Sequence, residues 1–320
     1  MINGPWVDHY PPGIERTLPP VTDDIVAHLR LETVDPDRVA LRRDRRALGY
    51  GRLVEALHRV AAGLLAAGLA TGDRLALVAG ASPEHVIALL AALRVGVVVV
   101  EHDTAATAHE LAGLFADHGA RLAVVDAPVA DRLPAGVRAV VIDPAASTTD
   151  DGADASPDWA GLLAHEPLAA GAARPAADGT ALLLYTSGTT GRSKGVPFTH
   201  AMVGHAIDQN LNFFRNQARG DGVHYLTLPL NHVYSLVDHL LSGLARAVEL
   251  VAFDRGDIGA VVRTAAARPP RKLATVPPIL AAIAAAAARA GVRFDDLYVV
   301  TGGMPMSEQL VRDWLAVSDQ

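Results

Sequence analysis

Strand-length apolar runs alternate with helix-period segments twice along this chain, and no other feature narrows its fold as much. "DRLALVAG" (73–80), "VVVV" (97–100), "RLAVVD" (121–126) and "RAVVID" (138–143) read as strands. Helical spacing fills the gaps: "RLVEALHRVAAGLLAAGL" stops near Gly68, and "SPEHVIALLAALRVG" opens with Ser82 as N-cap and Pro83 at the first helical position. "TAHELAGLFADHG" is a third helix. Strands joined by helices of this length imply right-handed βαβ units and a largely parallel sheet.

The pattern dissolves between Pro144 and Gly179, where Ala, Gly, Pro and Asp dominate, and restarts at "TALLLY" (180–185). "GVHYLTL", "VELVAF", "RKLATV" and "LYVVTG" are further strands, separated by helices that include "YSLVDHLLSGLARA" and "PPILAAIAAAAARAG". The expected organisation is therefore an α/β fold of two βαβ-type subdomains. Residues 1–178 form the first, with its N-terminal segment and connector, and residues 179–320 the second. The cluster "RRDRR" (Arg42 to Arg46) reads as a solvated hairpin turn between "VAL" and "ALGY".

Composition removes several functional classes. Half of the 320 residues are hydrophobic and a fifth charged, which is a globular balance, and a net charge of −7 gives no reason to expect nucleic acid. With no cysteine, disulfides, thiolate catalysis and Cys-ligated metals are excluded. The N-terminus has no basic segment followed by an apolar one, and the longest apolar tract is interrupted by Arg94. A cytoplasmic location without an integral membrane span is the expectation.

Of 28 basic residues only Lys194 and Lys272 are lysines, and Lys194 lies in "YTSGTTGRSKGV" (185–196), directly after a strand. Glycines let successive backbone N–H groups face one concavity, and Ser and Thr hydroxyls add donors. A lysine adds a mobile point charge with three donors, suited to a polyphosphate that changes shape during reaction. Gly188 to Lys194 has Walker A spacing, but Ser193 replaces the second Gly and Gly195 the Mg²⁺-binding Ser/Thr. Both changes strike at that mechanism.

The same stretch closely resembles the signature of the adenylate-forming superfamily, with Ser193 where Pro is usual. "THAMV" (199–203), "LPLNHVYSL" (228–236), "TVPPIL" (275–280) and "VVTGGMPMSEQL" (299–310) resemble later family segments in order and spacing. Met202, Ser235 and Met304 stand where Asn, Gly and Ala are common. The N-terminal "PWVDHYPPGI" is most like bacterial fatty-acyl-CoA synthetases.

The resemblance implies the large N-terminal domain of such an enzyme, activating a fatty or other apolar acid with ATP and Mg²⁺ and passing it to coenzyme A. It implies that Thr186, Ser187, Gly188, Thr189, Thr190 and Gly191 wrap the β- and γ-phosphates while Lys194 follows the departing pyrophosphate. His232 would lie near the acyl carboxylate, and Gly302, Gly303 and Met304 would pack against adenine and acyl chain. The family's aromatic-Gly-x-Thr-Glu motif, its ribose-binding Asp and its small C-terminal domain have no counterpart in the 320 residues. The expectation is therefore an incomplete second subdomain, association through its exposed surface, and little activity from this chain alone. A non-catalytic nucleotide- or acyl-binding remnant is the alternative.

Overall fold

The computed structural model describes residues 9–142, 157–186, 193–214 and 217–319. A short helix α1 (Ile25–Leu29) leads to the hairpin β1 (Val39–Arg43) and β2 (Arg46–Gly49), whose turn holds Asp44 at φ 52°. Helix α2 (Tyr50–Ala66) follows, and then strands and helices alternate: β3 (Arg74–Val78), α3 (Pro83–Arg94), β4 (Val98–Glu101), α4 (Ala108–His118), β5 (Leu122–Asp126), α5 (Ala127–Ala130) and β6 (Arg138–Ile142). Helix α6 (Pro157–Leu163) precedes the hairpin β7 (Thr180–Thr186) and β8 (Lys194–Thr199). Then come α7 (His200–Phe213), β9 (Val223–Leu226), a π-helical segment (Tyr234–Leu241) running into α8 (Ser242–Ala245), and β10 (Glu249–Ala252). The described chain closes with α9 (Ile258–Ala267), β11 (Lys272–Thr275), α10 (Pro277–Ala290), β12 (Tyr298–Thr301) and α11 (Glu308–Leu315).

Local signals act where the sequence places them. Ser82 Oγ accepts from His85 N at 3.2 Å, so the N-cap and the following Pro83 start α3 as expected. Thr107 and Glu110 form a reciprocal capping box on α4.

Two six-stranded sheets result, ordered β6-β5-β3-β4-β7-β8 and β12-β11-β9-β10-β1-β2, and both are parallel except at the two hairpins. This is the mostly parallel α/β architecture expected. Sheet membership, however, crosses the boundary expected at 178/179. β7 pairs with β4 (Val99↔Leu182) and carries β8 into the sheet of the first subdomain. β1 pairs with β10 (Leu41↔Leu250) and carries β2 into the other sheet. The physical reason is burial: Leu41, Leu182 and Leu250 are fully inaccessible, and each hairpin covers an edge that would otherwise remain open.

The turn residues Asp44 and Arg45 are exposed as expected, but the flanking Arg42, Arg43 and Arg46 belong to the strands and are drawn inward. Arg46 is buried against the fully buried carboxylate of Glu84 on α3, and Arg42 Nε meets Glu249 Oε1 at 2.6 Å. Arg43 Nη1 donates to Ala81 O at 3.0 Å and also pairs with Asp254. These side chains reach back across the strand ends because both sheets present carboxylates there. The largest core is continuous across both sheets, running from α2 and α3 to Leu240, Leu244 and Val248.

Candidate active site

Parallel strands present their C-terminal ends as the place where loops can hold a ligand, and here both sheets turn those ends toward one cleft. Gly80 and Ala81 after β3, His102 to Thr104 after β4, and Asp126 at the end of β5 face Thr227–Asn231 after β9 and Phe253–Arg255 after β10. The enclosed space is about 140 Å³. Arg255 Nη1 closes on Asp103 at 2.9 Å, and Asp126 Oδ2 accepts from Gly80 N at 2.8 Å. Burial raises the Asp126 carboxyl, while that N–H and the nearby cations pull it down.

The β7–β8 hairpin delivers the lysine. Thr186 ends β7 opposite Lys194, which begins β8, and both side chains are exposed. The expected phosphate ligands Ser187, Gly188, Thr189, Thr190 and Gly191 lie outside the described residues. Gly195 is needed for packing: a Cβ there would stand 3.0 Å from Leu183 Cδ1 and 3.2 Å from Tyr185 Cζ. The Ser/Thr that Walker A places after its lysine would crowd this hairpin. Tyr185 OH donates to Asp117 Oδ2 at 2.6 Å and anchors the strand end to α4.

His232 is exposed in the turn between β9 and the π-helical segment, and its carbonyl accepts from Leu236 N at 2.9 Å. Ser235 explains itself here. Its buried hydroxyl donates to Leu228 O at 2.9 Å and closes the turn that carries His232. Tyr234 OH donates to Val300 O at 3.1 Å, tethering this turn to β12 and so to Gly302, Gly303 (φ +79°) and the exposed Met304 just beyond it. Ser193 and Asn231, the neighbours of Lys194 and His232, line one cavity of about 800 Å³ together with His102 and Tyr185. The structure therefore brings the Lys194 and His232 segments together and ties Gly302–Met304 to the latter.

The profile of the AMP-binding enzyme family matches residues 31–320. The chain belongs to that family. It is similar to 4-coumarate–CoA ligase 5 of Oryza sativa subsp. japonica, 31% identical over 88% of this chain and 54% of that protein. Long-chain-fatty-acid–CoA ligase FadD13 of Mycobacterium tuberculosis is 31% identical over 83% of this chain and 52% of its own. Among solved structures, ATP-bound MatB from Rhodopseudomonas palustris superposes with a TM-score of 0.79 at 25% identity, covering 94% of this chain and 58% of that one. The inhibitor-bound N-terminal domain of FACL13 from M. tuberculosis gives 0.76 at 26% identity, covering 92% and 73%. The chain spans about half the length of the curated relatives it matches.

Against the AMP-binding frame, sequence reasoning missed a second group of polar residues. Beside His232 opens a cavity of about 860 Å³ between α7, the π-helical segment and the N-terminal residues Tyr10–Leu18. Phe213, Phe214, Val233 and Val237 form an apolar part of its wall, but Asn210 and Asp238 also line it. Lys272, the second lysine, is buried at the start of β11 with Nζ 3.6 Å from Asp238 Oδ2 and 4.4 Å from the Phe214 ring centre. Burial lowers its pKa, opposed by the Asp238 charge. The signal was present as a lone acid in the apolar run "YSLVDHLLSG" and as the only other lysine.

Two imidazoles behind the cleft were also missed. His118 Nδ1 accepts from Ala120 N at 3.1 Å, so a neutral His118 carries its proton on Nε2 and donates to His102 Nε2 at 3.0 Å. Burial, reinforced by the neighbouring ring, depresses His102 to about 3, and burial brings His118 to about 4. Among the described residues no three His, Asp or Glu gather to hold a metal ion, and no helix is long and apolar enough to cross a membrane.

Proposed function

We propose that the chain supplies the ATP- and acid-binding portion of an acid–thiol ligase. In this reading an acid's carboxylate attacks the α-phosphate of ATP, giving an acyl-adenylate and pyrophosphate, and the acyl group then passes to the thiol of coenzyme A. The observation that carries it is the meeting of the Lys194 hairpin and the His232 turn on one cavity at the strand ends.

The reaction needs no nucleophile from the protein. It needs two anions aligned and growing charge neutralised, which is a matter of positioning and electrostatics. Lys194 stands exposed at the mouth of the hairpin, where its ammonium can follow the pyrophosphate as it leaves. Mg²⁺ would arrive on the phosphate oxygens, as hard cations of this kind do, and screen their charge. His232 projects from a turn held by Ser235 and Tyr234, beside the mouth of the 860 Å³ cavity at Val233, so the acyl portion is assigned to that cavity. Its Phe213, Phe214, Val233 and Val237 wall suits an apolar acyl body.

Acid-dependent exchange of labelled pyrophosphate into ATP, measured across a panel of carboxylic acids, tests the chemistry. Lys194→Ala should lower the exchange rate and ATP affinity at least tenfold while acid binding stays within threefold. Equal loss of ATP and acid binding would overturn the role given to Lys194. ATP and acid binding with no exchange for any acid would favour a non-catalytic binding role.

A further inference from the structure

At the end of the β6-β5-β3-β4-β7-β8 sheet away from the cleft, three arginines stand abreast. Arg74 begins β3, Arg121 immediately precedes β5 and Arg138 begins β6, three neighbouring strands. The register Leu75↔Leu122 sets Arg74 beside Arg121, and Arg138 pairs with Leu122 itself. Adjacent strands lie about 4.8 Å apart, and like charges side by side on them repel. All three residues are exposed and line one cavity of about 500 Å³. Among the described residues, none of the three guanidinium groups meets a carboxylate or a hydrogen-bond acceptor. Arg42, Arg43 and Arg46, by contrast, are each paired with an acid.

The rest of the wall does not balance them. Asp73 is its only acidic residue, and its Oδ2 already accepts from Ala70 N at 2.7 Å. Asp117, on α4, accepts from Tyr185 OH. The carbonyl ends of α2 and α4 approach at Ala67 and Gly119 and offset a fraction of the charge. Counting side chains, three cations face one anion, an excess of two. Gly68 and Gly119, at φ +93° and +69°, give the wall no side chain, and a Cβ on either would meet nothing within 4 Å. Leu69 and Leu122 add an apolar patch beside the charges.

We propose that this cavity binds a phosphate monoester, its dianionic head held by Arg74, Arg121 and Arg138 and its organic body against Leu69 and Leu122. A guanidinium presents a fork that matches phosphate oxygens bidentately. A monoester at neutral pH carries about two negative charges, which equals the excess. A carboxylate or a phosphodiester carries one and leaves the repulsion only half relieved. The site is separate from the ATP cleft. Gly80 and Asp126 lie at the C-terminal ends of the same β3 and β5, and a five-residue strand spans about 13 Å.

Calorimetric titration of the chain with phenyl phosphate, a dianion, and phenyl sulfate, a monoanion of the same shape, tests this. Phenyl phosphate is expected to bind at least tenfold more tightly. The double variant Arg121→Gln/Arg138→Gln should cut that affinity at least tenfold and keep ATP affinity within threefold. Arg74→Gln alone should act in the same direction, which keeps the test open if the double variant fails to fold. Lys194→Ala should leave phenyl phosphate affinity within threefold, since that lysine serves the other end of the sheet. Measurable but equal binding of the two probes, or affinity kept in both arginine variants, overturns the inference. Loss of phenyl phosphate binding in Lys194→Ala assigns it to the ATP cleft and overturns the inference as well. Flotation with phosphatidylcholine vesicles containing either phosphatidate, a monoester, or phosphatidylglycerol, a diester, identifies the source of the phosphate. Retention by phosphatidate alone, lost in the arginine variants, marks a lipid headgroup. Phenyl phosphate binding without retention marks a soluble ester. Equal retention by both lipids, or binding to neither vesicles nor phenyl phosphate, overturns the proposal.

Discussion

Ser235 turns an apparent departure from its family's pattern into a structural bond. Its hydroxyl reaches Leu228 O, seven residues upstream, and Ser235 itself is fully buried. Ser235→Ala should lower stability by about 1–2 kcal/mol and loosen the turn that presents His232. Urea denaturation checks the first effect. Acid affinity checks the second, which should fall while ATP affinity holds. Unchanged stability would mean that water replaces the hydroxyl. The sequence alone could not reveal this contact, because the two partners become neighbours only once the turn is folded. Asp238 and Lys272 share that property. Each is visible as an oddity in its own segment, yet their 3.6 Å approach depends on the π-helical segment packing over β11.

At the scale of elements, hairpin β7–β8 explains why the phosphate loop is not a Walker A loop. A P-loop joins a strand to a helix, whereas here the strand is followed by an antiparallel partner running from Lys194 to Thr199. Gly195 allows Leu183 and Tyr185 to close over that return strand. Gly195→Thr, the Walker-like choice, should destabilise the chain by about 1–3 kcal/mol through overpacking and weaken ATP binding by shifting Lys194. Thermal melts with and without ATP check both, and a variant of wild-type stability and affinity would refute the tight packing argument. The strands and helices themselves were legible, since apolar period and capping residues such as Ser82, Thr107 and Glu110 are local properties. Which sheet each hairpin joins was not. Pairing of Leu41 with Leu250 spans more than two hundred residues, and chain proximity argues for the wrong neighbour. Motifs that carry charge or glycine mark Lys194, His232 and Gly303 as candidates in the sequence itself. The site is illegible where function depends on which helices enclose a cavity.

For the molecule as a whole, buried histidine sets the response to pH. His58, His102, His118, His200, His224 and His239 are all pushed below their ordinary value, chiefly by burial, with His102 and His224 at about 3 and His118 at about 4. His85 runs the other way: burial lowers it, but the charge and hydrogen bond of Glu101, 2.9 Å away, together with the Asp126 charge and the Gly80 carbonyl, outweigh burial and raise it. For the depressed group, the unfolded chain takes up protons first as pH falls below about 6.5, so stability is lost from there downward. For His85 the contribution is complete below about 6.5 and fades as pH rises through its raised value. At pH 5, His102, His118 and His224 each cost about 2 kcal/mol, comparable together with the whole stability of an ordinary domain. Urea midpoints should therefore fall steeply between pH 7 and pH 5, with only a shallow decline on the alkaline side. The double variant His102→Leu/His118→Leu removes two of these groups. Near pH 5 it should flatten the acid slope by as much as two protons, about 2.7 kcal/mol per pH unit. An acid slope unchanged in that variant would mean that the stacked imidazoles already carry their proton in the folded chain, and that the relay from Ala120 N through His118 to His102 does not hold them neutral.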